Sequence, residues 1–152
     1  MSLLHALVQT RVTRPGMSIG EALNICVESG LPGIPFVNAD GQLAGRFSVR
    51  HTFLVHSLPS DMVEGAHLIG HKALHLEHSD EHYAELFQRP IDELILEKAA
   101  CLAPDAQVTK AMAMMEKFNS SYLFLVDNEH YLGVVTRLGL TKALLTEYWS
   151  KS

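Results

Sequence analysis

No apolar run in this chain approaches the roughly 20 residues that a bilayer-spanning helix requires, so no membrane partner is expected. Basic residues are also in short supply. Twelve Lys and Arg stand against seventeen Asp and Glu, a net charge of −5, which argues against nucleic acid as the main partner. Cysteine is scarce: Cys26 and Cys101 are the whole complement, and they form no Cys-x-x-Cys pair. That usage predicts two reduced, buried thiols in a cytoplasmic protein. Cys26 falls within the helical stretch "ALNICVESG", a poor setting for an exposed nucleophile. The opening "MSLLHALVQTR" has neither a basic n-region nor a small-residue cleavage site, so no export signal is expected. Its Leu3, Leu4, Leu7 and Val8 fit a short amphipathic helix instead. Catalytic signatures are missing as well. There is no Gly-x-Ser-x-Gly, no phosphate-loop Gly-Lys-Ser/Thr and no His-Glu-x-x-His, and the expectation is that the chain is not an enzyme.

What is present is an ordinary globular balance. Of 152 residues, 47% are hydrophobic and 19% charged, enough for one domain or two half-domains that share a core. The organising feature is a repeat. "RPGMSIGEALNICVESGLPGIPFVNADGQLAGRFS" (14–48) aligns with "APDAQVTKAMAMMEKFNSSYLFLVDNEHYLGVVT" (103–136). At one offset of 89, Pro15 matches Pro104, Ala22 matches Ala111 and Val37 matches Val126. After a one-residue deletion in the turn, Gly45 matches Gly133 and Ser48 matches Thr136.

Each copy reads as the same succession. A short extended segment ends at the proline. A helix follows, capped in the first copy by Ser18 with Glu21 completing a capping box and stopped by Ser29-Gly30. In the second copy the helix fails at Asn119-Ser120-Ser121. Two strands joined by a turn come next, then a closing helix, "VRHTFLVHSL" or "LGLTKALLTEYW". That is β-α-β-β-α, twice. A unit of this size is marginal alone. The expected fold is α/β (α+β): two three-stranded units packed through their sheets with pseudo-two-fold symmetry, plus a helical connector.

The proline, the helix with alanine at its second turn, the apolar-Val-Asp/Asn strand and the Gly-apolar-apolar-Ser/Thr segment carry a family resemblance. Both copies resemble the cystathionine-β-synthase (CBS) domain, and the whole chain looks like a stand-alone CBS pair. The expected boundaries are 10–56 for the first motif, 57–91 for the connector and 92–148 for the second, all within one module spanning 1–152. The resemblance implies a regulatory module for an adenosine-containing ligand such as AMP, ADP, ATP or S-adenosylmethionine, with no required cofactor. It implies a homodimer, formed through exposed helices around Phe53, Leu54 and Leu58, and a regulated partner protein that the sequence does not name.

By the same resemblance, the strand-end hydroxyl meets phosphate and an aspartate three residues later holds the ribose. The hydroxyls are Ser48 and Thr136. The aspartate is missing from both copies, replaced by His51 and Gly139. Arg50 and Arg137 hold equivalent places and could face a phosphate. Adenine would lie against Ile34 and Pro35 in one copy and Leu123 in the other, positions that serve equally well as core.

Between the copies, "HLIGHKALHLEHSDEH" holds His67, His71, His75, His78 and His82. One helix from a Ser60 cap would set all five within roughly 80° of arc, opposite Met62, Ala66, Ile69, Ala73 and Leu76. Ser79-Asp80 also reads as a fresh cap, which would remove His82 from the stripe. The pairs His67/His71 and His71/His75 could share a divalent metal, but a third ligand from Glu64, His78 or a second subunit would be needed. The alternatives are a solvent face and a pH-sensitive contact. No metal site is assigned. The competing functional readings are a ligand-free structural or interaction module and a divalent-metal binder using the histidine-rich connector helix.

Overall fold

The computed structural model describes residues 2–68, 78–97 and 100–151. The first repeat contains α1 (Ile19–Ser29), β1 (Gly33–Val37), β2 (Leu43–Ser48) and α2 (Val49–His56). The connector contributes α3 (Ser60–Glu64) and α4 (Asp80–Gln88). The second repeat contains β3 (Cys101–Leu102), α5 (Val108–Lys117), β4 (Tyr122–Asp127), β5 (His130–Thr136) and α6 (Arg137–Ser150).

Local chemistry sets the boundaries. The Ser18 hydroxyl accepts from the Glu21 amide at 3.1 Å and starts α1, and Gly30 at φ 67° closes it. Ser79 caps α4 in the same way, so His82 does leave the proposed stripe. The Ser60 cap is corrected: Ser60 is the first helical residue of α3, Pro59 occupies the cap, and no side chain bonds there. Nor does one helix run through the stripe. Gly65 ends α3 after five residues, and a 3-10 turn follows over Ala66–Leu68. His67 is exposed on that turn. His71 and His75, with Ile69, Ala73 and Leu76, lie outside the described residues.

The second repeat has the expected three strands, in the order β3-β4-β5, with β3 parallel to β4. The first has two strands and a single parallel bridge, Thr13 to Phe36. The difference is one amide. In the second repeat Phe124 N–H donates to Ala100 C=O at 3.0 Å. Its counterpart, 89 residues earlier, is Pro35, which has no N–H to offer Arg11. The ladder therefore stops at Thr13, whose amide and hydroxyl both bond to Pro35 C=O. The hairpins keep the same irregularity, a register shift after Phe36 and after Leu125. Asn128 and Glu129, both at positive φ, make the tight turn of the second hairpin.

The repeats exchange segments. Val8, ahead of the first repeat, bridges Val134 on β5, while Leu96, ahead of the second, bridges Arg46 on β2. Val8 and Leu96 stand 88 residues apart, as do Arg46 and Val134, so the exchange is reciprocal. Each repeat thus closes its sheet with chain that precedes the other. Three cores result. Ile19, Ile25, Ile34 and Phe47 pack with Leu86 and Ile91 of the connector and with Leu94 just after it. Leu3 and Ala6 of the N-terminal 3-10 turn pack with Met115, Leu123, Val135 and Leu140. Leu31 and Leu43 meet Tyr122, Phe124 and Val134 between the two sheets. Burial of each large side chain contributes about 1.5–3 kcal/mol, so this shared layer binds two units that would each be marginal alone.

Candidate functional site

Each repeat ends its last strand at a hydroxyl and begins its closing helix there. The Ser48 hydroxyl accepts from the His51 amide at 3.2 Å, and the Thr136 hydroxyl accepts from the Gly139 amide at 2.8 Å. Both are N-caps, and each keeps its own proton to donate. The first helical amide is tied back to the loop before the first hairpin strand. Val49 N–H donates to Pro32 C=O and Arg137 N–H to Ser121 C=O. These bonds hold the helix starts beside the boundary between repeats.

A cleft of about 460 Å³ opens at that boundary next to α2. The first repeat supplies Arg46, Ser48, Arg50 and His51. The second faces them with Phe118, Ser120, Ser121 and Tyr122. The volume suits a drug-sized or nucleotide-sized molecule. Among the described residues no carboxylate lines it. The Arg46 guanidinium donates through Nη1 to the Tyr122 hydroxyl at 2.8 Å, while its Nε is buried without a partner among the described residues. Burial pushes the Tyr122 phenol above its ordinary range, and the neighbouring Arg46 charge opposes the shift. Phe118 is half-exposed at the rim, with Lys117 Nζ 5.7 Å from its ring centre.

The expected site residues divide. Ser48, Arg50 and His51 come together in the cleft. Ile34 and Leu123 are fully buried in separate repeat cores, and Pro35 is buried with its carbonyl spent on Thr13, so none of the three lines the cleft. Arg137 does not line the cleft; it donates to Ser120 C=O at 3.3 Å and pairs with Glu116 at 3.5 Å. Gly139 borders a different groove of about 550 Å³, between the N-terminal turn and α6, with Leu7, Val8, Lys142 and Glu147. Arg46, Phe118 and Tyr122 were not singled out by sequence. Arg46 carried a signal nonetheless, because it breaks the apolar pattern between Gly45 and Ser48.

The thiols differ from expectation in part. Cys26 is buried, which pushes its thiol up to about 11, whereas Cys101 is only half-buried. His78 and His82 stack at 4.1 Å, and the His78 Nε2–H donates to Ser57 C=O at 2.9 Å. Among the described residues no three His, Cys, Asp or Glu side chains gather as a metal would require. No helix there is long and apolar enough to cross a membrane.

The comparisons follow the same lines. Residues 91–146 match the family model of the CBS domain. An uncharacterized protein of Methanocaldococcus jannaschii is 28% identical over 137 residues, covering 82% of this chain and 80% of its own. An acetoin utilization protein of Vibrio cholerae superposes with a TM-score of 0.70 at 16% identity, covering all of this chain and 97% of its own. The protein CBSX2, solved in complex with AMP, superposes with a TM-score of 0.67 at 15% identity, over 97% of this chain and 98% of its own. Residues 91–146 thus match the CBS domain, and the chain as a whole takes up the fold of solved CBS-domain proteins.

Proposed function

We propose that this protein is a regulatory, non-catalytic module that binds an adenosine-containing ligand between its repeats and passes the binding event to a partner protein. The observation that carries the reading is the cleft in which Ser48, Arg50 and His51 of one repeat face Ser120, Ser121 and Tyr122 of the other. A ligand held by both sides favours the arrangement it touches and shifts the population of repeat packings. The AMP bound to CBSX2 supports a nucleotide as the ligand class. Leu54 on α2 and Leu58 just after it are exposed and suit contact with a second copy of the chain.

The competing reading is a ligand-free interaction module, and the absent carboxylates at 51 and 139 favour it. Thermal melting with AMP, ADP, ATP or S-adenosylmethionine, each at about 1 mM, separates the two. A ligand at 100 times its dissociation constant adds about 2.7 kcal/mol, several degrees for a chain of this length. An unchanged melting temperature with all four ligands would favour the interaction module.

A further inference from the structure

The connector returns to the first repeat through a pair of imidazoles. α2 is followed by its cap Ser57, whose carbonyl accepts from His78 Nε2–H at 2.9 Å. That bond closes the chain between the end of α2 and the residue before the Ser79 cap of α4. The His78 ring lies flat on His82, with centres 4.1 Å apart and planes inclined by 19°. Tyr83 meets both rings edge-on, at 6.0 Å and 5.2 Å, and its own ring packs on Phe87. Ser57 Oγ and His82 Nε2 are buried without hydrogen-bond partners among the described residues.

This is not the geometry of a metal centre. A ligating imidazole aims an in-plane lone pair at the ion, and two rings stacked face to face cannot hold one ion in both planes. It is the geometry of a contact that tolerates one charge. The Ser57 carbonyl only accepts, so His78 Nε2 carries a proton while the bond exists, and the charge of that ring depends on Nδ1. One imidazolium stacks well on a neutral aromatic ring. Two at 4.1 Å repel each other. A charged His82 also carries N–H on both nitrogens, and the one at Nε2 is buried with no acceptor among the described residues.

The surroundings add to the repulsion. His82 lies in the first turn of α4, where the helix dipole disfavours a cation. It acts electrostatically on His56 of α2, whose other charged neighbours are Arg89 after α4, His51 of α2 and Glu93 of the next 3-10 turn. One carboxylate there faces a guanidinium and three imidazoles. Asp80 and Glu81, which open α4, are exposed, and among the described residues no carboxylate pairs with either stacked ring.

We infer that the His78–His82 stack is a pH-sensitive latch that fastens the connector to the end of α2, closed while the pair carries no more than one charge and released when both rings are charged. The released form binds one more proton than the latched form, so acidification favours release. Imidazoles change charge between about pH 8 and 5, and the transition falls in that range. The same helix carries Ser48, its N-cap, and His51 at the cleft, so the latch ties the connector to an element that borders it.

Amide hydrogen exchange of the full chain, followed by NMR at about pH 7.5 and about pH 5 with intrinsic rates divided out, tests the latch. The probes are the Ser57 amide, bonded to Phe53 C=O at 2.8 Å, and the His82 amide, bonded to the Ser79 hydroxyl at 3.2 Å. Protection at both is expected to fall by about tenfold or more on acidification, while the Phe124 amide, bonded to Ala100 C=O in the second repeat, keeps its protection. His82→Phe keeps a stacked ring that cannot charge, and is expected to hold Ser57 protection within about twofold over the same range. Unchanged protection in the wild type overturns the latch. So does an equal loss at Phe124, which reports general acid unfolding, or a loss at Ser57 that persists in His82→Phe. Should His82→Phe misfold, side-chain nitrogen NMR of the wild-type imidazoles decides: His78 and His82 are expected to take up their protons in separate steps, and independent, coincident titration overturns the proposal.

Discussion

Gly33 and Tyr122 meet across the boundary between repeats, so closely that a β-carbon on Gly33 would fall on the phenol oxygen. Tyr122 is held there from three sides. Its hydroxyl accepts from Arg46, its ring packs with Phe124, and its backbone bonds to the Ser120 hydroxyl in both directions. The phenol cannot swing away without giving up its contacts with Arg46 and Phe124.

Gly33→Ala is therefore expected to destabilise the fold by about 1–3 kcal/mol, the usual cost of forcing atoms into a packed interior. Adding Tyr122→Phe should recover part of that loss, with the residue due to the ring carbon that also crowds the site. Urea unfolding of the two single variants and the double variant measures it. Strict additivity would place the cost of Gly33→Ala elsewhere.

The reciprocal segment exchange makes a paired prediction. A β-carbon on Gly45 would lie 2.6 Å from the Leu96 carbonyl oxygen, and one on Gly133 would lie 2.7 Å from the Val8 carbonyl oxygen. Both are backbone atoms and cannot move cheaply. Gly45→Ala and Gly133→Ala should each cost about 1–3 kcal/mol. Amide exchange should speed up at Leu96 in the first variant and at Val8 in the second, since those bridges are what the new methyl displaces. Protection unchanged at both positions would contradict the exchange.

His56, at the end of α2, supplies a pH dependence. Burial lowers its pKa below 6.5, and Arg89, His82 and His51 add to the shift while Glu93 opposes it. The unfolded imidazole titrates near 6.5, so below that pH the unfolded chain binds the extra proton more readily than the folded one. The contribution of His56 is thus fully present above about pH 6.5 and is lost as the pH falls through the folded value. Chemical denaturation between pH 7.5 and 5 should show a decline that His56→Gln makes shallower. A slope identical in the variant would remove His56 from the account.

Cys26 should resist thiol reagents while the chain is folded. It is buried in α1, and its thiol titrates at about 11, so almost no thiolate exists at pH 8. Iodoacetamide treatment followed by peptide mapping should find it unmodified in buffer and modified in urea. Rapid labelling of the native protein would contradict its burial.

The elements that the sequence made legible are those with local causes. Ser18, Ser79 and Gly30 act through bonds within a turn of themselves, and each stands where its residue type predicts. The shared offset of 89 exposed the repeat because both copies need the same turns and the same apolar strands. Causes at long range left no such trace. Nothing near Val8 or Leu96 announces that each completes the opposite sheet, although Gly45 and Gly133 mark where the exchanged segments pass. The strand shortened by Pro35 was open to inference, since proline forbids the bond that Phe124 makes. The long histidine helix failed at Gly65, where helix propensity was weaker than the apparent stripe. In the cleft, family resemblance led to Ser48, Arg50 and His51 but passed over Arg46, whose partner Tyr122 lies 76 residues away.

The most direct measurement of the central claim is amide chemical-shift mapping of the isotope-labelled chain during titration with AMP. The account expects saturable shifts at Ser48, His51, Ser120 and Tyr122, on both sides of the cleft. Shifts confined to the groove around Lys142 and Glu147, or none at all, would contradict it.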